Sequence, residues 1–308
     1  MNGETRAIDI FPIALMGGLF VVIDLLAFAV TGPFEAAGEV AYIGSGPGDP
    51  INLVFFFVSI IVFTSIVLVI AKYRKTRVIQ AIVLGSTGLL GIYVFFPLLS
   101  YIPSITWELS LILSAAIMAV LVGLLVEYPE WYVVDASGII TSIGAIAMLG
   151  ISLTILIAIA VLIVMALYDA ISVYKTKHMI TLASTLIDLK LPSLFVIPKT
   201  KKYSLVKETK SLKEKLQEGE KRNAFLLGLG DIVIPGILAV AAFYNIAGNG
   251  FLIGLSVIIG TLAGFSVLMV FVHKGKPQAG LPFLCPGAIL GYVISSLILT
   301  GGLAAFSI

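Results

Sequence analysis

The chain is poor in charge. Only 12% of its 308 residues are Asp, Glu, Lys or Arg, about half the share found in an ordinary soluble domain. Too few polar side chains are present to cover a water-facing surface, which excludes a soluble globular domain and a disordered chain. Cysteine is nearly absent as well: Cys285 stands alone, so no internal disulfide can form. The two histidines, His178 and His273, flank apolar stretches and read as interfacial polar residues. Two are too few for a zinc cluster, and no His-Glu-x-x-His occurs. Neither a metal nor a cofactor is expected. The net charge of +2 points to no polyanionic partner, and nucleic acid is excluded. What remains is apolar: 59% of the residues are hydrophobic and the mean hydropathy is +1.13. The partner this composition demands is a lipid bilayer.

A helix crosses the roughly 30 Å bilayer core with about 20 apolar residues. Nine stretches qualify: 9–32, 51–71, 78–99, 107–127, 131–149, 151–175, 224–246, 250–272 and 279–306. The fifth and sixth share one apolar run, and Gly150 is the expected turn between them. Ala27-Phe28-Ala29 imitates a signal-peptide cleavage site, but the long run, Asp24 and the lack of a basic start favour a retained helix. The predicted fold class is an all-α polytopic membrane protein of nine transmembrane helices. Residues 1–175 hold helices one to six and 224–308 hold seven to nine. Residues 176–223, where Lys and Glu alternate, read as a mobile connection.

Nine spans with the N-terminus inside place all 19 Lys and Arg on the cytoplasmic side and none outside. This follows the positive-inside rule. The expected arrangement is a multi-pass protein of the cell membrane, with the N-terminus and the 176–223 loop cytoplasmic and the C-terminus outside.

Ionisable residues deep in a span are costly and mark function by default. Asp24, Asp169 and Asp231 qualify, and no Lys or Arg lies inside a span to neutralise them. Asp169 precedes Lys175 by six residues and Asp231 follows Arg222 by nine. At a rise of 1.5 Å per residue both lie roughly 9–14 Å below the cytoplasmic surface. Asp24 has no partner at its level and reads as a carboxyl that is hydrogen-bonded or neutral within the bundle. Gly228-Leu229-Gly230 precedes Asp231, and its glycines leave room for another backbone to come close. Pro277-Gln278-Ala279-Gly280-Leu281-Pro282 opens the ninth span with irregular backbone, tolerated at membrane depth where it is buried or lines a cavity.

These elements together resemble the presenilin and signal peptide peptidase family of intramembrane aspartyl proteases. In that family a Tyr-Asp motif lies on helix six, a Gly-x-Gly-Asp motif on helix seven, and a Pro-Ala-Leu motif opens helix nine. The corresponding residues here are Tyr168-Asp169, Gly228-Leu229-Gly230-Asp231 and Ala279-Gly280-Leu281. The third motif departs: only Leu281 matches its letters, although Pro282 follows. The resemblance implies that Asp169 and Asp231 are catalytic and that Tyr168, Gly228, Leu229, Gly230, Ala279, Gly280, Leu281 and Pro282 shape the active site. It also implies single-span membrane proteins as substrates, and it leaves a homo-oligomer open. The cytoplasmic loop matches the presenilin orientation, and its shortness suits a compact microbial homologue of archaeal type. Prepilin peptidases also carry Gly-x-Gly-Asp, but with a basic residue close after the acid, where Ile232-Val233-Ile234 stands here.

Two carboxylates about 5 Å apart repel by roughly 3 kcal/mol at an effective dielectric of 20. Such a pair shares one proton near neutrality. One member can then take a proton from water while the other donates to the scissile carbonyl. A proton-coupled transporter or cation leak channel using the same acids is the alternative reading, although no inverted repeat supports it. Leu194-Phe195-Val196-Ile197, between Pro192 and Pro198, has the composition of a strand and is expected to pair with an unwound substrate. The competing reading of this segment is a lipid-surface anchor.

Overall fold

The computed structural model describes residues 4–38, 40–41, 45–73, 76–176, 192–199, 203–206, 224–272 and 278–303. His178, His273, Pro277 and most of the 176–223 connection lie outside the described residues. The helices are α1 (Glu4–Ala37), α2 (Ile51–Lys72), α3 (Thr76–Ser100), α4 (Trp107–Glu127), α5 (Trp131–Ser152), α6 (Ile155–Ile171), α7 (Leu229–Asn245), α8 (Gly250–Val272) and α9 (Leu281–Thr300). Strands β1 (Leu194–Pro198) and β2 (Ala224–Gly228) form a two-stranded antiparallel sheet. By length and composition seven of the helices can cross a membrane, and α2 and α7 contribute two shorter apolar helices. The protein is a polytopic, helical membrane protein.

Most of the helices expose large apolar side chains. In α4 the buried positions include Ser110 and Ser114, while Ile112, Val120 and Val126 are exposed. That inversion suits lipid, which is as apolar as leucine, so that close packing rather than water exclusion selects the buried face. Ser114 Oγ donates to the Ser110 carbonyl, so the buried hydroxyl is satisfied within the helix.

Three boundaries differ from the sequence reading. Gly150 does not turn the chain; it lies inside α5, where a β-carbon would collide with Val240. The break comes at Leu153–Thr154, where Thr154 takes an extended conformation before α6. Residues 224–228, expected in the seventh helix, form β2 instead, because they pair with β1 from Leu194↔Gly228 to Pro198↔Ala224. Past Ile171, α6 widens into a π-helical turn over Ser172–Thr176.

The chain divides into two compact units. The first comprises Met1–Leu19, Thr64–Ser142 and His178–Leu229. Its α3 and α4 pack where Gly91 admits the Met118 side chain. A cluster of Leu125, Val133, Val134, Val196, Leu205 and Ala224 joins the start of α5 to the sheet. Two acids near the start of α5 hydrogen-bond described parts of the 176–223 connection. Glu130 accepts Ser204 Oγ at 2.6 Å and the Leu205 N–H at 3.0 Å, and Asp135 Oδ1 accepts the Val196 N–H at 2.8 Å. Burial, reinforced by the Glu130 charge, pushes the neighbouring Tyr203 phenol up to about 12.

The second unit comprises Phe20–Phe63, Ile143–Lys177 and Gly230–Ile308. Here α8 and α9 meet backbone to backbone: β-carbons at Gly260, Gly264, Gly287 or Gly291 would each strike a main-chain carbonyl of the facing helix. Small residues allow this approach, as in other membrane helix pairs. The α7 helix is buried along its length from Ile234 to Ala242. Phe28 stacks on Phe243, with ring centroids 4.6 Å apart.

Candidate active site

The sequence-predicted acids both belong to the second unit. Asp169 sits in the last turn of α6 and is buried, with 6% of its surface exposed. Asp231 sits in the first turn of α7, two residues after the helix begins, and is half-buried. The segment leading into α9 supplies what lies against them. Asp169 Oδ2 accepts the Leu281 N–H at 3.1 Å, and the Gly280 N–H is directed at the same carboxyl group. A β-carbon on Gly280 would lie 2.8–2.9 Å from Oδ1, Cγ and Oδ2 of Asp231. Both carboxyl groups therefore converge on Gly280, one through its amide and the other through its missing side chain.

Gly280 has φ −79° and ψ −51°, a conformation open to any residue. Glycine is required there by space, not by backbone strain. Ala279 and Leu281 on either side are buried, and Pro282 is half-buried at the start of α9. Proline suits that position because the first helical turn has no use for its amide. The motif's departure from Pro-Ala-Leu thus leaves a compact turn with small residues where the acids come close.

Of the two glycines before Asp231, Gly230 lies in open space. No described atom lies within 4 Å of a β-carbon placed on Gly230, and the residue is exposed. Within the described residues the close approach to Asp231 is made at Gly280, while Gly230 faces open space. Gly228 closes β2 and Leu229 opens α7, its N–H donating to the Ser193 carbonyl at 3.3 Å. Tyr168 is half-buried, and its hydroxyl has no hydrogen-bond partner among the described residues.

Sequence reasoning missed Tyr174. It lies on the π-helical turn, donates its hydroxyl to Gln278 Oε1 at 2.9 Å and accepts the Ala279 N–H at 3.4 Å. It therefore ties the end of α6 to the segment that reaches both acids. A tyrosine near a membrane interface is common, so nothing in the sequence singles it out; widened turns of this type do recur at functional sites. Cys285, one turn after Leu281, is buried within electrostatic reach of both acids. Asp24 is 1% exposed, and its Oδ1 has no hydrogen-bond partner among the described residues. It abuts Gly236 of α7.

Leu194, Phe195, Val196 and Ile197 form most of β1, with the last three buried. The expected strand is present, but one of its edges is already committed to β2.

A sequence profile of the family described as signal-peptide peptidase, presenilin aspartyl protease matches residues 17–301. The chain belongs to this family. No curated protein matches it. It is similar to the solved structure of a presenilin family intramembrane aspartate protease in a C222 space group. The identity is 29% and the TM-score 0.67, covering 93% of this chain and 99% of that one. The structure of such a protease in a P2 space group is similar too, with 30% identity, a TM-score of 0.65 and coverage of 92% and 96%.

Proposed function

We propose that the protein is an intramembrane aspartyl endopeptidase of the Gly-x-Gly-Asp type that hydrolyses peptide bonds within single-span membrane proteins. Asp169 and Asp231 share one proton. The ionised carboxylate takes a proton from water as the water oxygen attacks the scissile carbonyl carbon. The protonated carboxyl donates to the carbonyl oxygen, and a tetrahedral diol results. Its collapse returns a proton to the leaving amine and breaks the C–N bond without a covalent enzyme adduct. The observation that carries this reading is the convergence of both carboxyl groups on Gly280. The Leu281 and Gly280 amides hold Asp169 in one orientation, which is the positioning such a pair needs.

Tyr168, Gly228, Leu229, Gly230, Ala279, Leu281 and Pro282 shape the cleft around this pair. The open space at Gly230 is where a substrate backbone passes Asp231. A substrate helix must unwind before cleavage, and unwinding exposes backbone groups whose desolvation is costly in or near lipid. The sheet containing Leu194–Ile197 satisfies them by accepting the extended segment as a further strand. The one-sided basic residues support a cell-membrane orientation with residues 176–223 in the cytoplasm. Asp169→Asn and Asp231→Asn should each abolish proteolysis while leaving a monodisperse protein. A transition-state analogue of aspartyl proteases should inhibit, and chelators and serine reagents should not. Turnover by either variant near the parental rate contradicts the shared-proton mechanism.

A further inference from the structure

The helices that carry Asp169 and Asp231 have the same length, 17 residues each. Close to Asp169 α6 ends, and close to Asp231 α7 begins. Their other ends therefore lie equally far from the chemistry. Thr154, just before α6, is 15 residues from Asp169, and Asn245, the last residue of α7, is 14 residues from Asp231. At 1.5 Å per residue these separations are about 22 Å and about 21 Å.

The two far ends are joined. Asn245 Nδ2 donates to the Leu153 carbonyl at 3.3 Å and to the Ala241 carbonyl of its own helix at 2.8 Å. Leu153 lies in the break between α5 and α6, and its neighbours are held as well. Ser152 Oγ accepts the Ala41 N–H at 2.7 Å, and the Thr154 N–H donates to the Pro47 carbonyl at 3.3 Å. Each residue of the break thus has its own partner, and all of these residues belong to the second unit. A break between membrane helices needs such partners, because its backbone groups have lost those of the helix. Nor can the break slide along α7, since Gly150 receives the Val240 side chain about one turn earlier.

We propose that Asn245 is a positioning residue for the acid pair. It ties the two acid-bearing helices at the ends away from the chemistry, and so sets the level and the separation of Asp169 and Asp231. The proposal rests on the reading of these acids as the catalytic pair. Over a length of about 21 Å, a tilt of about 3° moves an acid by about 1 Å. A shift of that size matters when one water must meet both carboxyl groups. The tie can bias the alignment by no more than its own free energy. One hydrogen bond, at about 1 kcal/mol, corresponds to a factor of about five.

Asn245→Ala severs the tie at an exposed position on the last residue of its helix. With a single-span peptide substrate, kcat should fall about fivefold at parental KM, because substrate still binds while the aligned pair is populated less often. A transition-state analogue of aspartyl proteases should bind about fivefold more weakly. The matched control is the neighbouring Tyr244→Phe. Tyr244 donates its hydroxyl to Glu35 Oε1 at 2.8 Å and ties the same end of α7 to α1, which carries neither catalytic acid. This variant also loses one hydrogen bond and should lower the melting temperature similarly, yet keep the parental kcat and analogue affinity. A parental kcat in Asn245→Ala, a raised KM in place of a lowered kcat, or an equal loss of kcat in Tyr244→Phe overturns the proposal. If Asp231→Asn is inactive in the same assay while Asn245→Ala is parental, only the tie is wrong. If Asp231→Asn cleaves, the catalytic reading itself fails.

Discussion

Gly280 stands against Asp231 so closely that a single added carbon would lie 2.8 Å from one carboxyl oxygen and 2.9 Å from the other. Real β-carbons do not come that close to neighbouring atoms. Either the carboxyl group rotates away or the start of α9 retreats, and the second response also withdraws the Leu281 amide from Asp169. Gly280→Ala should therefore lower turnover by about a hundredfold, the order expected when reacting groups are displaced by about 1 Å. Steady-state cleavage of a transmembrane substrate measures this. A parental rate in the alanine variant means that the space is not needed.

Gly230→Ala is the contrasting substitution. Nothing described lies within 4 Å of the new methyl group, and alanine is favoured over glycine in a helix by about 1 kcal/mol. Thermal unfolding should be unchanged or slightly higher than that of the parent. Any catalytic loss should appear as a raised KM, because the methyl group occupies room left for substrate.

Tyr174 links the two chain segments that meet at the acids. Tyr174→Phe removes its bonds to Gln278 and the Ala279 amide, each worth on the order of 1 kcal/mol. The protein should remain folded, with a melting temperature lower by a few degrees and turnover reduced several-fold. Unchanged turnover alongside lower stability would make Tyr174 a fastening for the fold alone.

Asp24 packs against α7 away from Gly280, where the two candidate catalytic acids converge. Its buried oxygen lies 2.5 Å from a β-carbon built on Gly236, and Ile146 Cδ1 lies 2.8 Å from the same point. Gly236→Ala should overpack this contact and cost about 1–3 kcal/mol. Asp24→Asn should leave proteolysis intact. In a double-mutant cycle, Asp24→Ala should recover part of the Gly236→Ala loss, because the smaller side chain vacates the space. Strict additivity would place the cost of Gly236→Ala elsewhere.

Intramembrane acids were legible in the sequence because burial without a basic partner is expensive and therefore rare. The apolar helices were legible from length, about 20 apolar residues per crossing. It did not reach Asp135, which stands on the fifth residue of its helix and looks like an interfacial acid; its role depends on a strand that begins 59 residues later. Ala224–Gly228 was read as helix because five apolar residues suit a helix or a strand equally. Pairing with Leu194–Pro198 decides between them, and the pairing is non-local. Gly150 likewise looked like a turn because its neighbour Val240, which explains it, lies on another helix.

The central claim is that Asp169 and Asp231 together hydrolyse peptide bonds of membrane-spanning substrates. Its most direct test is incubation of the purified protein in detergent with a panel of single-span peptides, beside Asp231→Asn, with fragments identified by mass. Detergent removes any compartment or gradient, so a transporter has nothing to show in this assay. The account predicts fragments cut within the apolar span by the parent and none by the variant. Equal cleavage by both proteins, or an intact panel with the parent, would contradict it.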